Sequence, residues 1–355
     1  MRLRRAVAAG LVLASSLAPA AAAPASAVGA EDGEPRVQCR ISDDRLVEIS
    51  GMTWSRRHPG VYWVHNDSGG GPYLYAIDGE TCRTRARIRI EGIGARDIEA
   101  VATGVDPAGR QVLWVGDIGD NIDGWPSVRL VAVREPARLV DQSVGSTTYR
   151  FTYPDGSDDA ESIIADPSSP KVWVVSKALA AGTVYRVPLS TSRVTTAVRV
   201  ADVGGLRSDA AMSPDGTRFV IRGYLRADLY AAPVSRASLA DPEPVTLPLQ
   251  RQGEAITFTR DGGALLVAGE SEREVWRVPL PGPVPSSPGP SPSVSTPSPG
   301  SGSAAATSSP AGGASSPAAA PAGGSTGVPW RAGLAALAVA AAVCVAVLAS
   351  RRLRR

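Results

Sequence analysis

Five segments of the chain repeat one plan, and that repetition constrains the fold more than any other feature. Each has an acidic residue, a short apolar run, a turn rich in Pro, Asp and Gly, and a second apolar run ending on a polar group. They are EISGMTWSRRHPGVYWVHNDS from Glu48, IEAVATGVDPAGRQVLWVGD from Ile98, AESIIADPSSPKVWVVSK from Ala160, SDAAMSPDGTRFVIRGY from Ser208 and GEAITFTRDGGALLVAGE from Gly253. The apolar runs are short, β-branched and bounded by turn residues, and helical periodicity is almost absent, so the class is all-β. Repeats at this spacing, each opening with a tight hairpin, read as the blades of a β-propeller.

Further strand-like runs follow each pair: YLYAID and RARIRI, RLVAVRE and TTYRFTY, VYRVPL and RVTTAVRV. Four strands make a blade. The last repeat stops one strand short at REVWRVPL, and the orphan run RVQCRI near the N-terminus supplies that strand and closes the ring. Such closure brings Cys39 and Cys82 near each other, and a disulfide is expected between them. The spacing favours five blades; six is the alternative, because the interval from Glu99 to Glu161 is long.

Both ends point to a membrane. Residues 1–27 begin MRLRR, continue with a short apolar run and end in the small-residue pattern Ala25-Ser26-Ala27, as a secretory signal peptide does. Ala332 to Ser350 is an uncharged apolar stretch of about 19 residues, long enough for a helix of roughly 28 Å, which matches a bilayer core. The basic tail at 351–355 is expected to stay in the cytoplasm, leaving the rest extracellular on a single-pass protein. Between the propeller, 34–280, and this helix, residues 281–329 are rich in Pro, Ser, Gly and Ala and read as an extended stalk. Eight of the 37 Lys and Arg residues flank the two membrane segments, leaving 29 against 34 Asp and Glu, a net of −5 for the remainder. That acidic balance argues against nucleic acid or anionic lipid as a partner. A small molecule, a surface polymer or a protein remains as the ligand class.

The first strand of each blade lines the central shaft, so Glu48, Glu99, Glu161, Asp209 and Glu254 are expected as a ring there. The ends of the second strands add Asn66, Asp67, Asp117, Lys177, Arg222 and Glu270. Calcium is the cation that suits such an all-oxygen site. The alternative is that each acidic residue accepts backbone N–H groups from a neighbouring blade and ties blades together. WVGDIGDN, residues 114–121, places Asp117, Asp120 and Asn121 at the same mouth, either as a wall of a site or as a strand-end turn. His58 and His65 are the two histidines, which leaves a Ser-His-Asp plan dependent on His65. Trp63, Trp114 and Trp173 recur at one place and are expected as packing between blades.

The acidic first strands, the SPDG-like turns and the basic pair Lys177 and Arg222 resemble the phytase-like and TolB-like group of secreted bacterial propellers. The resemblance implies a carboxylate-rich central face suited to calcium, with lysine and arginine contacting a phosphate group. It carries to Glu48, Asp67, Glu99, Asp117, Glu161, Lys177, Arg222 and Glu254. The first expectation is a ligand-binding propeller that uses calcium. The second is a phosphoesterase with Glu99, Glu161, Lys177 and Arg222 as catalytic candidates, and the third a glycosidase with paired carboxylates.

Overall fold

A computed structural model describes residues 33–67, 70–121 and 124–281. The expected signal peptide, the stalk beyond Pro281, the apolar segment and the basic tail lie outside the described residues. Among the described residues, no helix is long and apolar enough to cross a membrane.

The chain forms five sheets arranged as the blades of a propeller. Strand β1 (Arg36–Arg40) precedes blade one, which contains β2 (Ile49–Trp54), β3 (Val61–Asn66), β4 (Tyr73–Asp78) and β5 (Thr84–Ile90). Blade two has β6 (Ile98–Val105), β7 (Gln111–Asp117) and β8 (Val128–Val133); the short β9 (Gln142–Val144) then precedes its outer strand β10 (Ser146–Thr152). Blade three comprises β11 (Ala160–Ala165), β12 (Val172–Ser176), β13 (Ala181–Val187) and β15 (Val198–Gly204), the two-residue β14 (Thr195–Thr196) preceding its outer strand in the chain. Blade four holds β16 (Asp209–Met212), β17 (Arg218–Arg222), β18 (Arg226–Ala231), the single-turn α1 (Arg236–Leu239) and β19 (Glu243–Thr246). Blade five is β20 (Gly253–Phe258), β21 (Ala264–Gly269) and β22 (Glu274–Pro279), completed by β1, which pairs antiparallel with β22.

The long interval between Glu99 and Glu161 holds no sixth blade. It is taken up by β9, which crosses back to lie parallel to β5 on the outer edge of blade one. In the same way β14 lies parallel to β10 of blade two. Each covers an edge that would otherwise present unpaired backbone groups.

The ring closes through five apolar clusters, each drawn from two neighbouring blades. Trp114 and Tyr149 pack with Ile163 and Val174 between blades two and three, and Met52 and Ile49 pack with Leu266 and Ala268 between blades one and five. Trp63, Trp114 and Trp173 are all buried, as packing residues should be. The inner strands β2, β6, β11, β16 and β20 follow one another round the shaft and are buried along their whole length. Cys39 on β1 and Cys82 in the β4–β5 turn are joined by a disulfide, Cα to Cα 5.6 Å, which staples the seam where first and last blades meet.

Inner strands start on one face, the mouth, and run to the opposite face, where the β-hairpin turns lie. Asp106, Asp215 and Asp261 fasten three of these turns by accepting N–H groups within them, and Gly109, Gly216 and Gly262 take the positive φ the turns require. Strand β22 also ends on the turn face, where the Leu280 N–H donates to the Gly263 carbonyl.

Candidate functional site

At the mouth, four inner strands begin with a β-bulge. The pairing skips Ser50 in blade one, Glu99 in blade two, Glu161 in blade three and Glu254 in blade five. A bulge bends the strand and re-aims one side chain. Here the re-aimed residues stand at equivalent points around the shaft. Blade one therefore places Ser50, and not Glu48, where the other blades carry glutamate; Glu48 stands two residues earlier, level with Asp97 and Asp159.

Blade four differs. Asp209 pairs in regular register with Arg222 and accepts the N–H of Ile256 at 2.7 Å and of Ala210 at 2.8 Å. It thus ties blade four to blade five, the structural role anticipated as the alternative. Arg222 is completely buried below the mouth, where Nη1 donates to the carbonyls of Ala255 (2.7 Å) and Ala268 (3.3 Å) and Nη2 to Gln250 Oε1 (3.2 Å). Glycine at 253 is obligatory, because a Cβ there would lie 1.8 Å from Arg222 Nη2. Arg222 is a bolt between blades and does not stand beside Lys177 in the mouth.

Asp67, Asp97 and Glu99 converge: one carboxylate oxygen from each lies within 4.8 Å of the others, with Asp67 and Glu99 buried and Asp97 half-buried. Two oxygens bound to one Ca²⁺ at 2.3–2.6 Å can be at most about 5 Å apart, so this spread fits calcium. The donor set is oxygen throughout, as hard cations prefer. Gly119 presses against it, since a Cβ at that position would meet Asp97 Oδ2 at 2.5 Å and Glu99 Oε1 at 2.7 Å.

The WVGDIGDN segment builds this pocket from behind. Asp117 accepts the N–H of Asp97 at 2.8 Å and the Nε of Arg129 at 2.6 Å, so it positions Asp97 and is not itself in the cluster. Ile118 and Gly119 donate their N–H groups to the Asp97 carbonyl. Asp120 is turned to the loop, accepting from the Gly124 N–H at 2.7 Å and the Ser157 hydroxyl at 2.7 Å. Asn121 Nδ2 reaches Asp97 Oδ2 at 3.5 Å. Asn66 is likewise structural, bonded to the Glu48 N–H and the Arg45 carbonyl. Glu270, at the end of β21, donates its N–H to the Gln252 carbonyl, as Lys177 does to that of Asp159.

Across the mouth, Lys177 Nζ donates to Glu161 Oε1 at 2.8 Å, and Tyr224 lies alongside with its ring 5.7 Å from the amine. Burial alone would lower the Lys177 ammonium, but Glu161, Glu254, Tyr224 and Glu99 hold it well above its ordinary value. The second oxygens of Glu161 and Glu254 are buried with no hydrogen-bond partner. Burial pushes Asp159 up to about 7, helped by Glu161, and Glu254 also up to about 7, partly offset by Lys177. Burial lowers His65, which donates Nδ1–H to the Asn66 carbonyl at 2.9 Å and directs Nε2 at Gly51, inside the blade. It is no base for a mouth-bound substrate.

These shifts set a pH dependence. Unfolded, the two carboxyls ionise near their ordinary 3.8 and 4.5, whereas folded they keep their protons up to about 7. The folded state binds more protons in that window, so stability without added cation falls as pH rises through it. Thermal unfolding followed across the window is expected to show a shallower fall for Asp159→Asn than for the unsubstituted chain.

Asp97, Asp159, Gly119 and Tyr224 were not among the sequence-predicted site residues. The signal for the first two was present as the spacing Asp97-x-Glu99 and Asp159-x-Glu161 in consecutive blades. No known family matches the chain, and no curated protein matches it.

Proposed function

We propose that the chain is a ligand-binding propeller that works through a divalent cation, calcium by preference, held at the mouth by Asp67, Asp97 and Glu99. The convergence of their oxygens within 4.8 Å carries this reading. Gly119 supports it as a cradle that any side chain would fill. The leader-like N-terminus, the Pro-rich stretch and the apolar segment before RRLRR support an extracellular, membrane-anchored setting.

A cation bound by the folded state alone raises its stability by about 2.7 kcal/mol at a hundred times Kd. Calcium is therefore expected to raise the Tm saturably, and EDTA to reverse the rise. Gly119→Ala is expected to abolish the rise at little cost to the apo protein, because its Cβ meets only the ends of two carboxylate side chains. Absence of any calcium-dependent Tm shift in the unsubstituted chain would sink the proposal.

A second reading, hydrolysis at the same mouth, is favoured by the Asp159 and Glu254 carboxyls, which exchange protons near neutrality as general acids and bases must. For phosphoesters Lys177 is the cation at hand, Arg222 being bonded below the mouth. Turnover of aryl phosphates or aryl glycosides that is lost in Glu254→Gln would support it; turnover unchanged in Glu254→Gln and Asp159→Asn would exclude it.

A further inference from the structure

We propose that the ligand of this mouth is a neutral carbohydrate, bound by adjacent hydroxyls on the cation and on the buried, unpaired Oε2 atoms of Glu161 and Glu254, with a sugar face against Trp125. The assignment rests on the cation reading above.

Charge narrows the ligand class first. Asp67, Asp97, Glu99, Asp159, Glu161 and Glu254 face two cationic side chains, Lys177, which already donates to Glu161 at 2.8 Å, and Arg222, which lies near Glu254 and is bonded to backbone carbonyls. A cation on three of the carboxylates leaves no surplus positive charge to attract an anion.

Hydrogen-bonding capacity narrows it further. Glu161 Oε2 and Glu254 Oε2 are buried acceptors without donors, on side chains at most 1% exposed. Such groups are costly unless something donates to them. Hydroxyls donate to carboxylates and also serve as oxygen ligands to calcium, so a polyol meets both demands with one kind of group.

The third observation lies on the rim. Trp125 is 41% exposed; its backbone N–H donates to Asp120, and the Arg96 guanidinium lies 4.4 Å from the ring centroid. Arg96 is itself fixed, with Nε on Asp117 Oδ2 at 3.4 Å and Nη1 on the Ser127 carbonyl at 3.1 Å. The next residue, Asp97, belongs to the cation cluster. An exposed indole stacked on the residue next to Asp97 is a preorganised platform, which binds at low entropic cost. The exposed Leu179 and Leu225, on the mouth-side loops of blades three and four, extend the apolar rim.

A basic peptide is the competing occupant. It would need the carboxylates that calcium takes, so calcium would weaken it, whereas calcium should strengthen a carbohydrate.

The test uses the full-length chain, tryptophan emission, and maltose, cellobiose, mannobiose and chitobiose as probes, with calcium or with EDTA. At least one disaccharide is expected to bind saturably with calcium and to lose about tenfold in affinity, about 1.4 kcal/mol, in EDTA. Trp125→Ala, followed by calorimetry, is expected to cost a similar factor, as truncating an aromatic anchor does, while keeping the calcium-induced Tm rise. A normal calcium response with no disaccharide binding at about 10 mM overturns the carbohydrate assignment and leaves the cation site standing. Binding unaffected by Trp125→Ala, or hexalysine binding that calcium weakens in place of any disaccharide, overturns it too. Disaccharide binding that needs Trp125 but neither calcium nor Gly119 overturns the cation reading instead.

Discussion

Lys177→Met is expected to destabilise the propeller by about 3–5 kcal/mol at neutral pH, the usual effect of removing one partner from a buried ion pair. For a domain of this size that is a Tm fall of roughly 10 °C. Lys177 Nζ bonds Glu161 at 2.8 Å and stands against Glu254 and Glu99, so the substitution removes the ammonium from among three buried carboxylates. Those carboxyls can recover part of the loss by taking up protons. The defect is therefore expected to shrink as pH falls below about 7, where Glu254 is already protonated. Urea unfolding of both proteins on either side of that pH measures the difference. A loss that does not vary with pH would mean that Lys177 contributes by packing and not by charge.

Opening the seam should cost about as much. The Cys39–Cys82 bond closes a loop with a sequence separation of 43, and loop-closure entropy assigns such a link about 4 kcal/mol. Beyond this, the bond holds β1 against blade one from the outer edge of blade five. The double substitution Cys39→Ser, Cys82→Ser is expected to lower the unfolding midpoint by that amount and to expose β22 as an edge. Hydrogen exchange should then rise first in β1 and β22, before the inner strands. Exchange that rises evenly across all five blades would show that the staple acts only on the unfolded chain.

The blade plan was legible in the sequence because hairpins are local. A turn such as SPDG fixes its two strands within a few residues, and the alternating apolar runs then follow. Closure by RVQCRI was legible for a topological reason: the last repeat lacked a strand and the first had one to spare. The site was harder to read, since a bulge adds a residue at each strand start. Counting back from the turn lands on Glu99, Glu161 and Glu254 correctly, yet in blade one the identity of the nearest acid suggests Glu48 where the register places Ser50. Arg222 illustrates a second limit. Its charge matched Lys177 in the repeat, but Gly253, thirty-one positions on, leaves room for the guanidinium to turn down into the blade interface. WVGDIGDN is more than a bare turn: Asp117 accepts the backbone N–H of Asp97, Gly119 packs against the Asp97 and Glu99 carboxylates, and Asp120 accepts the backbone N–H of Trp125.

Strand β22 delivers the chain to the turn face, with Leu280 held on Gly263, while the carboxylate cluster lies toward the other face, where the inner strands begin. Whatever follows Pro281 thus departs from the back of the disc. If that continuation is fixed to a cell envelope, the propeller is displayed like a dish on a mast. In that case the mouth, on the opposite face of the propeller, would point away from the attachment.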